Sequence, residues 1–251
     1  MRPAPRLYTD ARLGRGTYGL SAEEARYLGS VLRLKAGDAV RLFNEASGEW
    51  LYEITAMAKR EGSAEPTEQR RLAEEPAKTP ILLFAPIKRT QTELLVQKAT
   101  ELGVAVLQPV ITARTNRDQL RLDRLEAIAR EAAEQCERLS LPNIRPPLPL
   151  EEGLATVEGF LFCDEAGDET GEPWGGDEGR APLASSLLPA RAEATDAVLV
   201  GPEGGFTAEE RSMLRGLERA VPISLGPRIL RAETAALVAL TLWQARFGDL
   251  V

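Results

Sequence analysis

The spacing of apolar and polar residues changes near residue 80. Before this point, short alternating segments such as 39–43 and 49–55 are separated by Gly37-Asp38 and Ser47-Gly48, a pattern that predicts strands joined by tight turns in a small β-barrel. After it, short apolar runs alternate with helical patterns, which predicts a parallel α/β sheet. The sequence therefore predicts a β domain over 1–73, a linker over 74–80 and an α/β domain over 81–251.

The boundaries of several elements follow from local signals. In the first domain, Ser21 and Glu24 have the spacing of a capping box, which predicts a helix that runs to about Leu34. In the second domain the predicted strands are 81–85, 105–109, 159–163, 197–200 and 221–224, and the predicted helices include 90–102, 121–139 and 232–247. The last of these helices is apolar on nearly every face, which indicates that it is buried.

Two glycine-containing motifs carry most of the information about function. Gly201–Phe206 (GPEGGF) and Leu225–Ala235 (LGPRILRAETA) each lie where an apolar run meets a helical pattern. Both are therefore expected at the carboxyl edge of one sheet, where α/β proteins bind ligands. Their glycines would let a small molecule approach the backbone closely. The alternative is a tight strand-to-helix turn that binds no ligand.

A phosphate ligand does not suit the first motif. Thr207 and Glu210 form a second predicted capping box, so the side chains of the helix already satisfy its free N–H groups. Glu209 and Glu210 in the first turn would also repel a phosphate. A ligand without phosphate, or with a positive charge, fits this motif better.

Composition excludes several classes of chemistry. The chain of 251 residues contains no histidine, which rules out a Ser-His-Asp triad and a histidine general base. Its two cysteines, Cys136 and Cys163, are too few for a disulfide framework or a common zinc site. We therefore expect no metal ion and a location in the reducing cytoplasm. Residues 1–6 lack the apolar core of a signal peptide, and no apolar run is long enough to span a membrane.

The net charge of −7 is concentrated in one segment. Residues 164–180 carry seven acidic residues against one arginine, so they account for nearly all of the excess negative charge. The polar, glycine-rich composition of this segment predicts an acidic surface insertion. The rest of the chain is close to neutral, which leaves room for a basic face that binds nucleic acid.

These motifs, together with 31–35 (VLRLK), 97–104 (QKATELGV) and 131–138 (EAAEQCER), resemble the RsmE family of small-subunit ribosomal RNA uridine-N3 methyltransferases. The resemblance runs nearly end to end. It implies a PUA-like β-barrel that binds RNA and a C-terminal α/β domain of the SPOUT class with a trefoil knot. It also implies S-adenosylmethionine as the cofactor, 16S ribosomal RNA as the substrate and a homodimer as the assembly.

The resemblance assigns the cofactor pocket to the two motifs and to the end of an earlier strand. The residues that it implies are Gly201, Pro202, Gly204, Gly205, Leu225, Gly226, Ile229, Leu230 and Thr234, with Phe162 and Cys163 as a third wall.

Methylation of uridine N3 needs a group that stabilises negative charge and one that accepts a proton. As the N3 proton leaves, charge spreads onto two ring carbonyl oxygens, which the fork of an arginine could meet, and Arg231 is the first candidate. Glu203 or Glu233 could accept the proton. Alternatively, Glu233 caps its own helix or pairs with Arg231.

Phosphate contacts dominate the affinity of proteins for nucleic acids, so basic residues are the candidates for RNA binding. They are Arg6, Arg33, Lys35, Lys88, Arg89, Lys98 and Arg114. Two other functions stay open from the sequence: a non-catalytic RNA-binding assembly factor, and a SPOUT methyltransferase that modifies another RNA position.

Overall fold

A computed structural model describes residues 4–73, 78–115, 120–164, 181, 183–188 and 195–250. The chain divides into two compact units. Unit 1 contains residues 1–76 and 133–140, and unit 2 contains residues 77–132 and 141–251. Most of the predicted linker, 74–77, and most of the predicted acidic insertion, 165–180, lie outside the described residues.

Unit 1 is built on a five-stranded sheet in the order β1-β3-β4-β5-β2. All neighbouring pairs are antiparallel except β1 and β3. The register between β4 and β5 shifts at three points, as it does at β-bulges. The elements are β1 (Arg6–Tyr8), β2 (Tyr18–Leu20), α1 (Ala22–Arg26), a π-helical turn (Tyr27–Val31), β3 (Ala39–Asn44), β4 (Gly48–Met57) and β5 (Gly62–Arg71).

The capping box of the first helix is confirmed, but the helix is shorter than predicted. The side chain of Ser21 accepts a hydrogen bond from the Glu24 backbone, and the Glu24 side chain accepts one from the Ser21 backbone. Helix α1 ends at Arg26, and the chain continues as the π-helical turn. Arg33 then takes a φ of 61°, which is incompatible with further right-handed helix.

Unit 2 is a parallel α/β domain, as predicted. Its central strands follow the order β12-β10-β11-β6-β7-β8, and β9 also pairs with β7. Every pairing in this sheet is parallel. The elements are β6 (Ile81–Phe84), α2 (Arg89–Glu101), β7 (Val106–Ile111), α3 (Leu122–Cys136), β8 (Asn143–Ile144), β9 (Leu148–Pro149), α4 (Leu150–Leu154), β10 (Phe160–Cys163), α5 (Ala184–Leu187), β11 (Ala197–Val200), α6 (Ala208–Arg215), β12 (Ala220–Ile223) and α7 (Ala232–Phe247). The last four residues of α3, 133–136, belong to unit 1.

The sheet of unit 2 has an apolar layer on each face. Strand β10 shows the alternation: Phe160 and Phe162 belong to one buried cluster, whereas Leu161 and Cys163 face the other. Helix α7 contributes Ala235, Ala239 and Trp243 to the second cluster, which confirms that it is buried. The knot that the resemblance implies stays a prediction.

Candidate functional site

A cavity of about 580 Å³ lies at the carboxyl edge of the sheet in unit 2. From β6 the chain proceeds outward to β7 and β8, and later returns to β10, β11 and β12 on the other side, so β6 and β11 flank a topological switch point. Ligands of α/β proteins bind at such points. The walls consist of segments 200–206 and 229–232, together with Lys88, Gln91, Cys163, Asp164, Arg211 and Ala235.

The loop after β11 forms a tight turn at this edge. The backbone N–H of Gly205 donates to the carbonyl of Pro202 at 2.9 Å, and Gly205 adopts a φ of 68°, which favours glycine. A Cβ at Gly205 would meet no atom within 4 Å, whereas a Cβ at Gly201 would lie 3.0 Å from the ring of Phe206. Gly201 is therefore needed for packing, and Gly205 leaves backbone open to a ligand.

The start of α6 satisfies its own backbone groups, as predicted. Thr207 accepts a hydrogen bond from the Glu210 N–H at 3.1 Å, and Glu210 accepts one from the Thr207 N–H at 2.9 Å. The pKa of Glu209 is lowered because its carboxylate accepts hydrogen bonds from its own N–H and from Thr207, with a smaller contribution from the charge of Arg114. Two carboxylates thus lie in the first turn of α6, which disfavours a phosphate there.

The loop after β12 supplies the opposite wall through Ile229, Leu230 and Arg231. Ile229 is 80% exposed and lies at the rim of the cavity. Three predicted pocket residues are not part of the lining: Leu225 packs against the core, Gly226 adopts a φ of 108° in the loop, and Thr234 is exposed on α7.

Of the two residues predicted for the third wall, Cys163 lines the cavity and Phe162 does not. Phe162 is fully buried, and its ring lies 6.5 Å from that of Phe206 on the opposite face of the sheet from Cys163. Successive side chains of a strand point to opposite faces, so only one of these neighbours can reach the cavity.

Asp164, which follows Cys163, is a site residue that the sequence analysis assigned to the acidic insertion. Its side chain lines the cavity and is 2% exposed. Its carboxylate pairs with Arg211 at 2.9 Å and with Arg215 at 2.7 Å, both on α6. Asp164 therefore belongs to the folded domain and joins the end of β10 to α6.

This placement sharpens the test of the acidic insertion. Replacing residues 168–177 with a short Gly-Ser link, which leaves Asp164 in place, is expected to preserve folding and cofactor affinity because the segment has the composition of a solvated linker. Thermal denaturation and calorimetry check this result. A large loss of cofactor affinity would instead assign the segment to the cofactor site.

Two of the three predicted catalytic residues line the cavity: Arg231 and Glu203 do, and Glu233 does not. Both lining side chains are exposed. Within the part of the chain that the structure describes, the guanidinium of Arg231 forms neither a hydrogen bond nor an ion pair, so the alternative of an Arg231–Glu233 pair is not observed. Arg231 is the N-cap residue of α7, so the start of this helix lies at the cavity wall.

The structure separates the predicted RNA-binding residues into groups. Arg33 and Lys35 are exposed on unit 1, and Lys88 lies on the wall of the cavity in unit 2. Arg89 and Lys98 form surface ion pairs with acidic residues of α2. The last predicted residue of this set, Arg114, contacts the loop after β11.

Arg6 must be removed from this set. It is 6% exposed, its guanidinium pairs with buried Glu49 at 2.5 Å, and it lies 3.4 Å from the centre of the Phe43 ring. It also donates to the carbonyls of Ala133 and Arg138, at 2.7 and 2.8 Å, in the segment that belongs to unit 1. Burial lowers the pKa of Arg6 from its ordinary value. A guanidinium with these partners holds unit 1 together and is not available to RNA.

The cavity fits S-adenosylmethionine in size and in chemistry. Its volume lies within the range of about 300–1,000 Å³ that is typical of small-molecule sites. Gly205 leaves open backbone for a ligand to approach, and the acidic start of α6 suits a ligand with a positive charge better than one with phosphates. Among the described residues there is no cluster of side chains that could hold a metal ion, and no helix has the length and apolarity needed to cross a membrane.

The comparisons with known families identify the chain as an RNA methyltransferase. The family described as "RNA methyltransferase domain" matches residues 73–244, and that described as "RNA methyltransferase PUA domain" matches residues 20–66. More particularly, the chain belongs to the ribosomal RNA small subunit methyltransferase E family, as its resemblance to RsmE predicted.

Individual relatives match this chain over nearly its whole length. It is 33% identical to ribosomal RNA small subunit methyltransferase E of Rickettsia conorii, over 94% of this chain and 93% of the relative. The Neisseria gonorrhoeae enzyme of this name, bound to S-adenosyl methionine, has a TM-score of 0.80 and 27% identity, and the match covers 99% of this chain and 100% of that one. A methyltransferase of Legionella pneumophila in complex with the cofactor SAM has a TM-score of 0.79 and 28% identity, over 97% of this chain and 98% of that one.

Proposed function

We propose that this protein transfers a methyl group from S-adenosylmethionine to N3 of a uridine in 16S ribosomal RNA. The observation that carries the proposal is the cavity at the switch point. Its lining contains Gly205, whose backbone is open to a ligand, together with Arg231 and Glu203, the arginine and the carboxylate that the reaction needs. The family to which the chain belongs supports ribosomal RNA of the small subunit as the substrate.

The residues that would hold the cofactor are those of the two loops, Pro202–Gly205 and Ile229–Leu230, together with Cys163. When bound, S-adenosylmethionine supplies an electrophilic methyl group. Arg231 orients the uracil ring by donating to its carbonyl oxygens, and it stabilises the negative charge that develops on them as the N3 proton leaves. Glu203 accepts that proton.

The RNA contacts in this proposal come from exposed cations. Lys88, on the cavity wall, would bind a phosphate next to the target uridine, and Arg33 and Lys35 on unit 1 would bind other phosphates of the RNA. The resemblance to SPOUT enzymes further supports a homodimer, which light scattering of the purified protein tests, and a cytoplasmic location, which cell fractionation tests.

Two other functions compete with this one. A non-catalytic assembly factor has no need for a cavity with an unengaged Arg231, and this cavity disfavours it. A methyltransferase with another RNA target differs only in its product. Mapping modified nucleosides in 16S ribosomal RNA and in the remaining cellular RNA from cells with and without the gene distinguishes all three. Loss of the gene should remove a single N3-methyluridine from 16S ribosomal RNA under the proposed function, a different methylated nucleoside under the second alternative, and none under the first.

The cofactor assignment makes a prediction of its own. Calorimetry should show S-adenosylmethionine binding at one site per chain, and ATP should compete poorly. Gly205→Val should weaken binding about tenfold or more, because a β-branched residue is strongly disfavoured at a φ of 68°. Its side chain would also occupy the open space beside the loop through which the ligand approaches the backbone.

Gly159→Ala is the matched control for this change. Gly159 precedes β10 at the amino edge of the sheet, and a Cβ there would lie 3.6 Å from the nearest atom, which is ordinary contact. This variant should bind the cofactor like the unmodified protein. Unchanged affinity in Gly205→Val would contradict the assignment of the pocket.

A further inference from the structure

Arg114 contacts the first glycine loop from outside the cavity lining. Its Nη1 donates to the carbonyl of Gly204 at 2.8 Å and, more weakly, to that of Phe206 at 3.5 Å. Its aliphatic stem lies against the same residue, since a Cβ added to Gly204 would be 3.4 Å from Cδ of Arg114. Arg114 therefore contacts Gly204 with both its guanidinium and its aliphatic stem.

The contact determines the orientation of one peptide group. The unit between Gly204 and Gly205 has its carbonyl bound to Arg114 and its N–H bound to the carbonyl of Pro202 at 2.9 Å. The C=O and N–H of a trans peptide point in opposite directions, so this unit is held from both sides. Without Arg114 only one of these restraints remains, and the two flanking glycines offer little steric resistance to rotation.

The turn that carries Arg114 is itself fixed. The N–H of Thr112 donates to the hydroxyl of Thr115 at 2.9 Å, and both threonines are buried. The N–H of Ala113 donates to Glu210 at 2.7 Å, and the second carboxylate oxygen of Glu210 completes the capping box of α6. Glu210 therefore connects the turn that carries Arg114 to the helix that follows the glycine loop.

We propose that Arg114 is a positioning residue that fixes the Gly204–Gly205 peptide and thereby sets which backbone donors and acceptors the loop offers to S-adenosylmethionine. The inference rests on the proposed function for the identity of the ligand. It replaces the RNA contact predicted for Arg114 from the sequence, because the guanidinium is directed to loop carbonyls.

The test compares three variants of the full-length protein: Arg114→Ala, Arg114→Lys and, as a matched control, Arg121→Ala. Arg121 also lies in unit 2, its side chain is 66% exposed, and among the described residues it pairs with Asp123 at 2.7 Å. Each protein is measured for S-adenosylmethionine affinity by calorimetry, for affinity to a 16S ribosomal RNA fragment, for thermal midpoint without ligand, and for amide exchange of residues 203–206.

Arg114→Ala should lower cofactor affinity about tenfold or more, the effect of losing a hydrogen bond from a charged donor. Exchange at Gly205 should become faster, while RNA affinity and the ligand-free thermal midpoint stay near those of Arg121→Ala. Arg114→Lys should recover part of the cofactor affinity, because a single ammonium can reach one carbonyl.

Three results would overturn the inference. Unchanged cofactor affinity with weaker RNA binding would restore the RNA contact. Unchanged exchange at Gly205 would show that the loop does not depend on Arg114. A thermal midpoint that falls in proportion to every other readout would make the role one of general stability. If the unmodified protein itself fails to bind S-adenosylmethionine, the proposed function is wrong. The role of Arg114 in holding the loop is still tested in that case, because amide exchange at Gly205 does not depend on the ligand.

Discussion

Arg231→Ala is expected to lower the single-turnover rate of methylation about a hundredfold, comparable to the loss of one donor from an oxyanion hole. The reason is that the guanidinium lines the cavity without a protein partner in the described residues, so its donors are available for charge that develops on uracil. Cofactor affinity should change by less than about threefold, because the interaction is made mainly in the transition state.

Two further variants separate this role from a structural one. Arg231→Lys should recover only part of the rate, because one ammonium lacks the planar fork that can meet two carbonyl oxygens. Glu233→Gln should leave rate and cofactor affinity unchanged, because Glu233 neither lines the cavity nor pairs with Arg231 in the described structure. If Arg231→Ala loses rate only in proportion to cofactor affinity, the catalytic role is wrong.

The parts of the fold that depend on local interactions could be predicted from the sequence. Both capping boxes form as their Ser/Thr and Glu spacing indicates, because each involves residues three positions apart. Helix α7 has its predicted bounds of 232 and 247, since its apolar composition and the preceding loop define both ends. The meeting of two loops in one cavity followed from parallel strands, whose carboxyl ends share an edge.

The errors come from contacts between residues distant in sequence. Arg6 is a basic residue near the N-terminus, and nothing in its neighbours indicates that Glu49 and the carbonyls of residues 133–138 would surround it. Asp164 lies at the start of an acidic segment, and its neighbours in sequence assign it to that segment. Its partners Arg211 and Arg215 follow about 50 residues later, so the local sequence does not indicate them. The spacing of these arginines by one helical turn was the available signal, since it places both on one face of α6.

The position of Phe162 outside the cavity lining has a different cause, the two-residue period of a strand. Alternation along β10 places Cys163 and Phe162 on opposite faces, so assigning both to one wall conflicts with a strand. The identity of the face could not be read from the sequence, because β10 is apolar throughout and is buried on both sides.

The second large effect is expected for Asp164→Ala, which should lower the free energy of unfolding of unit 2 by about 3 kcal/mol or more, the typical cost of removing one partner from a buried ion pair. Arg211 is 9% exposed and would lose this counter-charge while remaining in a poorly hydrated position. In a domain of this size the change corresponds to a fall of roughly 6–12 °C in thermal midpoint. Cofactor affinity should also fall, because Asp164 and Arg211 both line the cavity.

Asp123→Asn is the surface control, since the Asp123 side chain is 68% exposed and its pair with Arg121 should contribute less than about 1 kcal/mol.

The double variant Asp164→Leu/Arg211→Met tests the mechanism. If the loss comes from burying the Arg211 charge without its Asp164 partner, removing Arg211 as well should recover part of the stability, because well-packed apolar residues often replace buried pairs at little cost. Losses that simply add would show that Asp164 and Arg211 act independently, and the account of β10 joined to α6 through this pair would be wrong.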